Sequence, residues 1–159
     1  MAFVRVLNEE EFQAETFRSG NSWSIVVNVG YDDEKPISYS LHVGLSPMAG
    51  GPIEFYFQIV EFDEEYESEH AFLSGKDTAC FLKGDDRKIV LWAVLTAAHM
   101  LLEAAKPERV EYVAYDPDPP EKALLKHWLI GKVFEESGYE VSTADPFHGK
   151  RVWWMVRQK

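Results

Sequence analysis

Disulfides and the residue spacings of common metal sites are missing from this 159-residue sequence. Its only cysteine, Cys80, has no partner for an internal disulfide, which is consistent with a reducing compartment. Its five histidines never occur as HxH, HxxxH or HExxH, the spacings expected of zinc ligands. A chain of this length buries roughly 70% of its unfolded surface and needs no covalent staple. We therefore predict a single domain over residues 1–159, without a metal site.

Signatures of nucleotide binding, serine-hydrolase chemistry and membrane insertion are also missing. The sequence contains no GxxxxGK[ST] or GxGxxG loop and no GxSxG elbow. No apolar run approaches the roughly 20 residues of a membrane helix. The N-terminus turns acidic from Glu9 onward, too early for the apolar core of a signal peptide. These absences predict a cytoplasmic protein with no membrane partner, and no motif defines a reaction.

Basic residues are scarce in the first half of the chain. Residues 1–70 hold 14 acidic and three basic residues, whereas residues 71–159 hold 13 of each, so the formal net charge of −11 belongs to the first half. Such a surface repels phosphate backbones, which argues against a nucleic-acid partner. It suits a basic protein partner, or it serves solubility alone.

What the first half does contain is alternation of apolar and polar residues, the pattern of half-buried strands. The alternation occurs at 22–31 and 37–46, and a turn-like segment at 32–36 joins the two stretches. A third strand follows at about 53–61, which predicts an antiparallel meander. The acidic, aperiodic residues 61–78 predict a loop, with room for a short turn of helix. In the first strand the apolar face would comprise Trp23, Ile25, Val27, Val29 and Tyr31.

The second half predicts a helix, a strand, a helix and two strands. An apolar segment from 86 to 105 indicates a buried helix capped by Asp85 or Asp86. The fold class is therefore α+β, with an antiparallel or mixed sheet meander followed by helix–strand–helix–strand–strand. The remaining predicted elements are a strand at 109–115, a helix from Asp118 to about Ser137 stopped by Gly138, and strands at 139–143 and 151–157.

Several residues can carry chemistry, and each has a structural alternative. Cys80 fits a thiol nucleophile or a small residue that fills the core. His127, beside Trp128 on the second predicted helix, fits a general base facing a cleft or a partly exposed helix residue. His148 lies in a predicted loop and fits either a functional or a solvated turn. The polar strand face fits the floor of a groove or a solvated sheet face, and its residues are Ser24, Asn28, Ser38, Ser40 and His42.

The second half also resembles the GNAT acetyltransferase superfamily. The segment Lys132–Glu140 (KVFEESGYE) is similar to the xxYExxGFE ending of that family's last helix. The predicted order of elements over residues 53–157 is similar to the later part of the family's fold. The resemblance implies a GNAT-like sheet that splays beside the central helix, where an acyl-CoA enters.

The same resemblance implies roles for individual residues. Gly84, Arg87 and Lys88, at the start of the central helix, would contact the phosphates of the acyl-CoA, because helix N-termini bind anions. Tyr115 or His127 would act as the general acid or base. The function implied is that of an atypical acyl-CoA-dependent N-acyltransferase or of a catalytically inactive relative.

The sequence departs from the family at the positions that matter for this chemistry. Asp85 and Asp86 stand where the pyrophosphate would dock, and negative charge there opposes an anion. Phe134 occupies the place of the tyrosine that often protonates the departing thiolate, and residues 116–118 (DPD) hold no counterpart of the family's asparagine. The resemblance therefore predicts acyl-CoA chemistry that is lost or altered.

Two other functions fit the same sequence. The first is an acidic, non-catalytic module that binds or inhibits a basic protein partner. The second is a homodimer, because the alternation at Trp153 and Trp154 places one indole in the core and leaves the other for an interface or a pocket wall. The acidic residues that would meet the basic partner are Asp63, Glu64, Glu65, Glu67 and Glu69.

Overall fold

The structure, a computed structural model, describes residues 3–9, 12, 14–72, 78, 80–113, 121–143 and 152–158, without the side chains of 121–125. Among these residues it contains nine strands and two helices, which confirms the α+β class. The strands are β1 (Phe3–Arg5), β2 (Thr16–Ser19), β3 (Ser22–Asp32), β4 (Ile37–Pro47), β5 (Ile53–Asp63), β6 (Ser68–Phe72), β7 (Arg109–Val113), β8 (Tyr139–Thr143) and β9 (Val152–Arg157), and the helices are α1 (Asp85–Ala105) and α2 (Glu121–Glu136).

One mixed sheet contains all nine strands, in the order β1-β3-β4-β5-β7-β9-β8, with β2 also paired to β3 and β6 to β5. Every pairing is antiparallel except that of β5 with β7. This parallel pairing is short: Ile53 faces Val110, Glu54 faces Glu111, and Phe55 faces Tyr112. We call β1–β6 the first half-sheet, β7–β9 the second half-sheet, and the three parallel pairs the junction.

The predicted meander is confirmed as β3, β4 and β5, each of 11 residues. Both helices cover the same face of the sheet: α1 packs against β3 and β4, α2 packs against β8 and β9, and the two helices contact each other. A single cluster of buried apolar residues runs through both half-sheets. Of the described helices, α1 alone has the length and apolar content to cross a membrane, yet its buried residues pack on the sheet; these are Ala93, Val94, Ala97, Ala98, Leu101 and Leu102.

A bulge in β3 corrects the predicted face of that strand. The register with β4 jumps between Asn28 and Gly30, so the alternation of inward and outward side chains reverses. Tyr31, predicted to face the core, is 44% exposed, and Asp32 is buried at 4% exposure instead. Gly30 is required at this point, because a Cβ there would lie 2.2 Å from the carbonyl oxygen of Val4 on the adjoining β1.

The predicted loop at residues 61–78 is wrong over its first part. β5 continues to Asp63, and β6 pairs antiparallel with it along residues 59–63. β6 is exposed on most of its residues and shows no apolar alternation by which a sequence could reveal it. β1 and β2, at the opposite edge of the sheet, also escaped prediction because each is only three or four residues long.

Candidate functional site

The junction brings aromatic and titratable side chains from four elements together on the helix-covered face. Tyr112 occupies the last parallel pair, and its ring lies 5.7 Å from that of Phe55 and 6.0 Å from that of Phe57, two residues further along β5. His127 on α2 and Trp153 on β9 complete the group: the His127 ring lies 5.3 Å from Tyr112 and 6.5 Å from Trp153. The candidate site lies where β5 and β7 stop pairing.

His127 is the one predicted acid or base that the structure places at this junction. Its exposure is 4%, so the expectation of a partly exposed helix residue is wrong. It shares the inward face of α2 with Ile130 and Phe134, which follow at intervals of three and four residues. The interval brings its Nδ1 atom to 2.7 Å from the hydroxyl oxygen of Tyr112.

The Tyr112–His127 pair is a buried hydrogen bond between two groups that can exchange protons. Burial raises the pKa of Tyr112, so its hydroxyl keeps its proton at neutral pH. A protonated hydroxyl that donates to Nδ1 leaves the ring proton of a neutral imidazole on Nε2, and we assign the pair in this form. In this form a proton enters by relay through the phenol: the hydroxyl oxygen of Tyr112 takes a proton as its own proton passes to Nδ1, which leaves an imidazolium beside a neutral phenol.

Trp153 adds a hydrogen-bond donor beside this pair. Its side chain is 1% exposed, and its indole Nε1 has no hydrogen-bond partner among the described residues. A buried donor without an acceptor costs about 1–3 kcal/mol, so such a group calls for an explanation. Trp154, the next residue, is 45% exposed on the other face, which confirms the predicted division of the two indoles.

Lys126 places a positive charge next to the junction. Its Nζ atom lies 5.3 Å from the centre of the Phe57 ring, within the range of a cation–π contact. The residue is half-buried, whereas Trp128, on the same helix, is 58% exposed and contacts Trp153 edge to face. The exposed edge of the junction thus combines a cation with aromatic surface.

The predicted phosphate-binding residues lie together at the start of α1. Gly84 precedes the helix with φ 54°, and Arg87 and Lys88 are exposed in its first turn. Capping by Asp85 or Asp86 is wrong, because no side chain caps this terminus. Asp86 instead accepts a hydrogen bond from Nε of Arg5 at 2.8 Å, a half-exposed ion pair that offsets one of the two carboxylates.

Other predicted candidates are placed less favourably. Phe134 is fully buried and contacts Phe55 and Tyr139 edge to face, so it is a core residue. Cys80 is exposed, and the expectation that it fills the core is wrong. Tyr115 and His148 lie outside the described residues. In the described part of the chain no three His, Cys, Asp or Glu residues are close enough to hold a metal ion.

The polar face of the first half-sheet is the face that no described helix covers. Its predicted residues are half-buried or exposed, which agrees with a solvated sheet face. Ser40 and His42 share a hydrogen bond of 3.1 Å on it, and burial lowers the pKa of His42 against an opposing effect of Glu69. The hydrogen bond joins neighbours along β4, and with Glu69 of β6 the described residues of this face form no enclosed site.

Comparison with known proteins gives no family for the chain. No protein-family model, no curated protein and no solved structure matches it.

Proposed function

We propose that the protein is a GNAT-like domain that binds an acyl-CoA at the junction and acts as an atypical N-acyltransferase. The observation that carries the proposal is the parallel pairing of β5 and β7, which stops at Phe55 and Tyr112 with the Tyr112–His127 pair directly beside it. The resemblance to acetyltransferases implies the same order of elements. This order is a three-strand meander (β3–β5), a parallel neighbour reached through a helix (β7 after α1), and a final antiparallel pair (β8 and β9).

The stop in pairing creates a place for an extended ligand. Beyond the junction, β5 pairs with no described strand on this edge at residues 56–58, before β6 pairs with residues 59–63. Backbone N–H and C=O groups on such an edge are ready to pair with an added chain. The amide groups of a pantetheine arm have the chemistry to do so. Ligands of open sheets also favour the carboxyl ends of parallel strands at the point where the topology changes.

The groups at the junction offer the proton donor that Phe134, which has no hydroxyl, cannot be. An N-acyltransferase needs a base to take the proton of the attacking amine and an acid for the departing thiolate. The Tyr112–His127 pair offers both a phenol and an imidazole. The indole N–H of Trp153, which lacks a partner among the described residues, is a suitable donor to a carbonyl oxygen.

The start of α1 would hold the phosphates. Gly84 has a positive φ and no atom near the position of a Cβ, so the backbone there is open to a ligand. Arg87 and Lys88 bring two positive charges, and Arg5 offsets the charge of Asp86. The exposed Asp85 opposes an anion, which predicts weak binding of the phosphates.

The proposal is tested by a thermal-shift titration with acetyl-CoA and with free CoA. At about 100 times Kd a ligand stabilises the folded state by about 2.7 kcal/mol, which raises Tm by a few degrees in a domain of this size. The double variant Arg87→Glu/Lys88→Glu is expected to lose this shift. Lys132→Glu, an exposed change on α2, serves as the control and should retain it. No shift with either ligand at millimolar concentration would contradict the proposal.

A second candidate function is the acidic binding module, and the β5–β6 hairpin favours it. Its tip, residues 64–67, is exposed, Tyr66 at its centre is 74% exposed, and β6 presents an outer edge that no described strand pairs with. A basic peptide could add to that edge and meet the carboxylates. Reversal of Glu64, Glu65 and Glu67 to lysine should slow association with such a partner and weaken its salt dependence. Unchanged association would exclude this surface.

The homodimer also stays a proposal. Trp154 and Val156 are each 45% exposed on the uncovered face of the second half-sheet, where a second copy would pack. Sedimentation of the wild-type protein and of Trp154→Ser would test it, and a monomer at all concentrations would end it.

A further inference from the structure

The edge of β3 is open between the two short strands that pair with it. β2 pairs with residues 22–25 of β3 and β1 pairs with residues 30–32, so neither of them covers residues 26–28. The chain between β1 and β2 contacts the helix near this place: Phe12 packs edge to face on Trp92 of α1, with 5.1 Å between the ring centres. A gap therefore lies between the edge of β3 and a segment that packs on α1.

This gap is a cavity of about 620 Å³, within the range of roughly 300–1,000 Å³ that is usual for small-ligand sites. Its wall combines both sides of the sheet edge, because Val26 belongs to the face that no described helix covers and Met100 belongs to α1 on the other face. The cavity is open to solvent, since Val26 is 40% exposed and Phe17 is 53% exposed. The described lining residues are Phe12, Ala14, Glu15, Phe17, Val26 and Met100.

The chemistry of this wall favours one kind of ligand. Five of the six described lining residues are apolar, and the aromatic rings and the flexible methionine among them suit an apolar body. The sixth, Glu15, is an exposed carboxylate, and the described lining contains no basic residue. Residues 1–70 carry the whole formal net charge of −11, so the wider field also favours a cation over an anion. The wall thus fits an apolar body that ends in a positive charge.

We propose that the gap at the edge of β3 is a binding site for small hydrophobic amines. The apolar body would lie against the two phenylalanine rings and Met100, and the ammonium group would lie at Glu15. The faces of the rings also attract positive charge, which adds to the preference for an amine. The site goes beyond the proposed function and does not depend on it, since β4 separates β3 from the junction strand β5 and no acyl-CoA is needed.

The test is an NMR titration of the protein with ¹³C in its methionine methyl groups, in the absence of any CoA. The methyl group of Met100 reports on the cavity, and that of Met155, which is 1% exposed in the core, is the internal control. The probes are phenylbutylamine, phenylbutanol and phenylbutyrate, which share one apolar body and differ in the charge of the end group. Met100→Leu assigns the resonance.

The Met100 resonance should shift saturably with the amine, while that of Met155 stays in place. The amine should bind about twofold to fivefold more tightly than the alcohol, and the acid should bind most weakly, because an ion pair with an exposed carboxylate contributes modestly. Glu15→Gln should remove the preference for the amine. Glu65→Gln, the same change at an exposed glutamate of the β5–β6 hairpin, should retain it.

Val26→Lys should weaken binding of the amine at least about tenfold, because it places a second cation in the cavity. Val156→Lys, at a valine of similar exposure on the second half-sheet, is the matched control and should bind as the wild type does. Urea unfolding verifies that each variant is folded. The proposal is overturned if the amine leaves the Met100 resonance unchanged, if the alcohol binds as tightly as the amine, or if Glu65→Gln removes the preference as Glu15→Gln does.

Discussion

The two half-sheets share one core, but they differ in strand length, in charge and in the side chains that they bury. The first half-sheet contains three strands of 11 residues and a core rich in aliphatic residues such as Ile25 and Leu41, and residues 1–70 carry the whole formal net charge of −11. The second half-sheet has strands of five or six residues, and residues 71–159 carry no net charge. It buries Tyr112 and Trp153, against which α2 packs the buried His127. Among the described residues, three pairs of the sheet join them. The larger, mainly aliphatic first half-sheet thus adjoins a smaller second half-sheet whose core contains buried polar groups.

The largest effect is expected from truncation in the core of the second half-sheet. Phe134→Ala should lower the free energy of unfolding by about 3–5 kcal/mol, because the side chain is fully buried against Phe55 and Tyr139. Urea unfolding measures this loss, with Leu41→Ala as the matched truncation in the first half-sheet. Hydrogen exchange should show that β8 and β9 lose protection before β3–β5 in Phe134→Ala. Equal loss of hydrogen-exchange protection in both half-sheets would contradict the view that they differ in local stability.

The next effect concerns the buried polar pair. Tyr112→Phe should cost about 1–3 kcal/mol, because Nδ1 of His127 loses its hydroxyl partner inside the core. His127→Leu in the Tyr112→Phe background should cost less than it does alone, and a double-mutant cycle measures the difference. Ser40→Ala, which breaks a hydrogen bond on the half-exposed face of the first half-sheet, should cost less than either. Additive costs would show that the two groups act independently.

A smaller effect should appear only at high pH. Burial raises the pKa of Tyr139 to about 12 from its ordinary 10.0, against an opposing effect of Arg157. The folded state therefore holds this proton more tightly than the unfolded state. The corresponding stability is complete below pH 10 and is lost as the pH rises towards 12.

Tyr139→Phe should consequently flatten the decline of stability between pH 10 and 12, as measured by urea unfolding at fixed ionic strength. Tyr31→Phe, a change at an exposed tyrosine of the first half-sheet, is the control. If both variants follow the wild-type curve, Tyr139 does not titrate differently in the folded state.

The smallest effect is expected at the ion pair that ties α1 to β1. Asp86→Asn should lower stability by about 0.2–1 kcal/mol, because Arg5 and Asp86 are both half-exposed and water screens their attraction. The difference should disappear in 1 M salt. Asp85→Asn, one residue earlier, removes the same charge without breaking that pair. A larger loss at Asp86 that persists in salt would mean that the pair also positions the helix.

Elements whose residues alternate or recur over many positions were predictable. The strands β3, β4 and β5 and the helix α1 follow directly from their patterns, because each buries one face over ten or more residues. The division of Trp153 and Trp154 follows from the same rule. The ending of α2 before Gly138, which has φ 93°, follows from the need for a residue without a Cβ.

The errors arise where one local feature overrides the pattern. The bulge at Gly30 turns Tyr31 out and Asp32 in, and nothing in the alternation announces it. β6 is held by hydrogen bonds to β5 and not by burial, so its polar, exposed sequence lacks the alternation that predicts a strand. The Tyr112–His127 pair joins two elements that are adjacent only in the fold. A sequence can nominate His127, but only the register of β7 against α2 identifies its partner.

The position of the short strand β6 has a consequence for the growing chain. Pairing of β3, β4, β5 and β6 closes through short turns, whereas β7 reaches β5 only after the whole of α1 has been added. Local pairing precedes distant pairing, and domains fold from the N-terminus during synthesis. For that interval the outer edge of β5, with Phe55 and Phe57 beside it, would be an exposed template for aggregation. β6 covers residues 59–63 of this edge, whereas residues 53–55 stay unpaired until β7 is added. The short parallel junction is therefore the pairing that closes this part of the nascent edge.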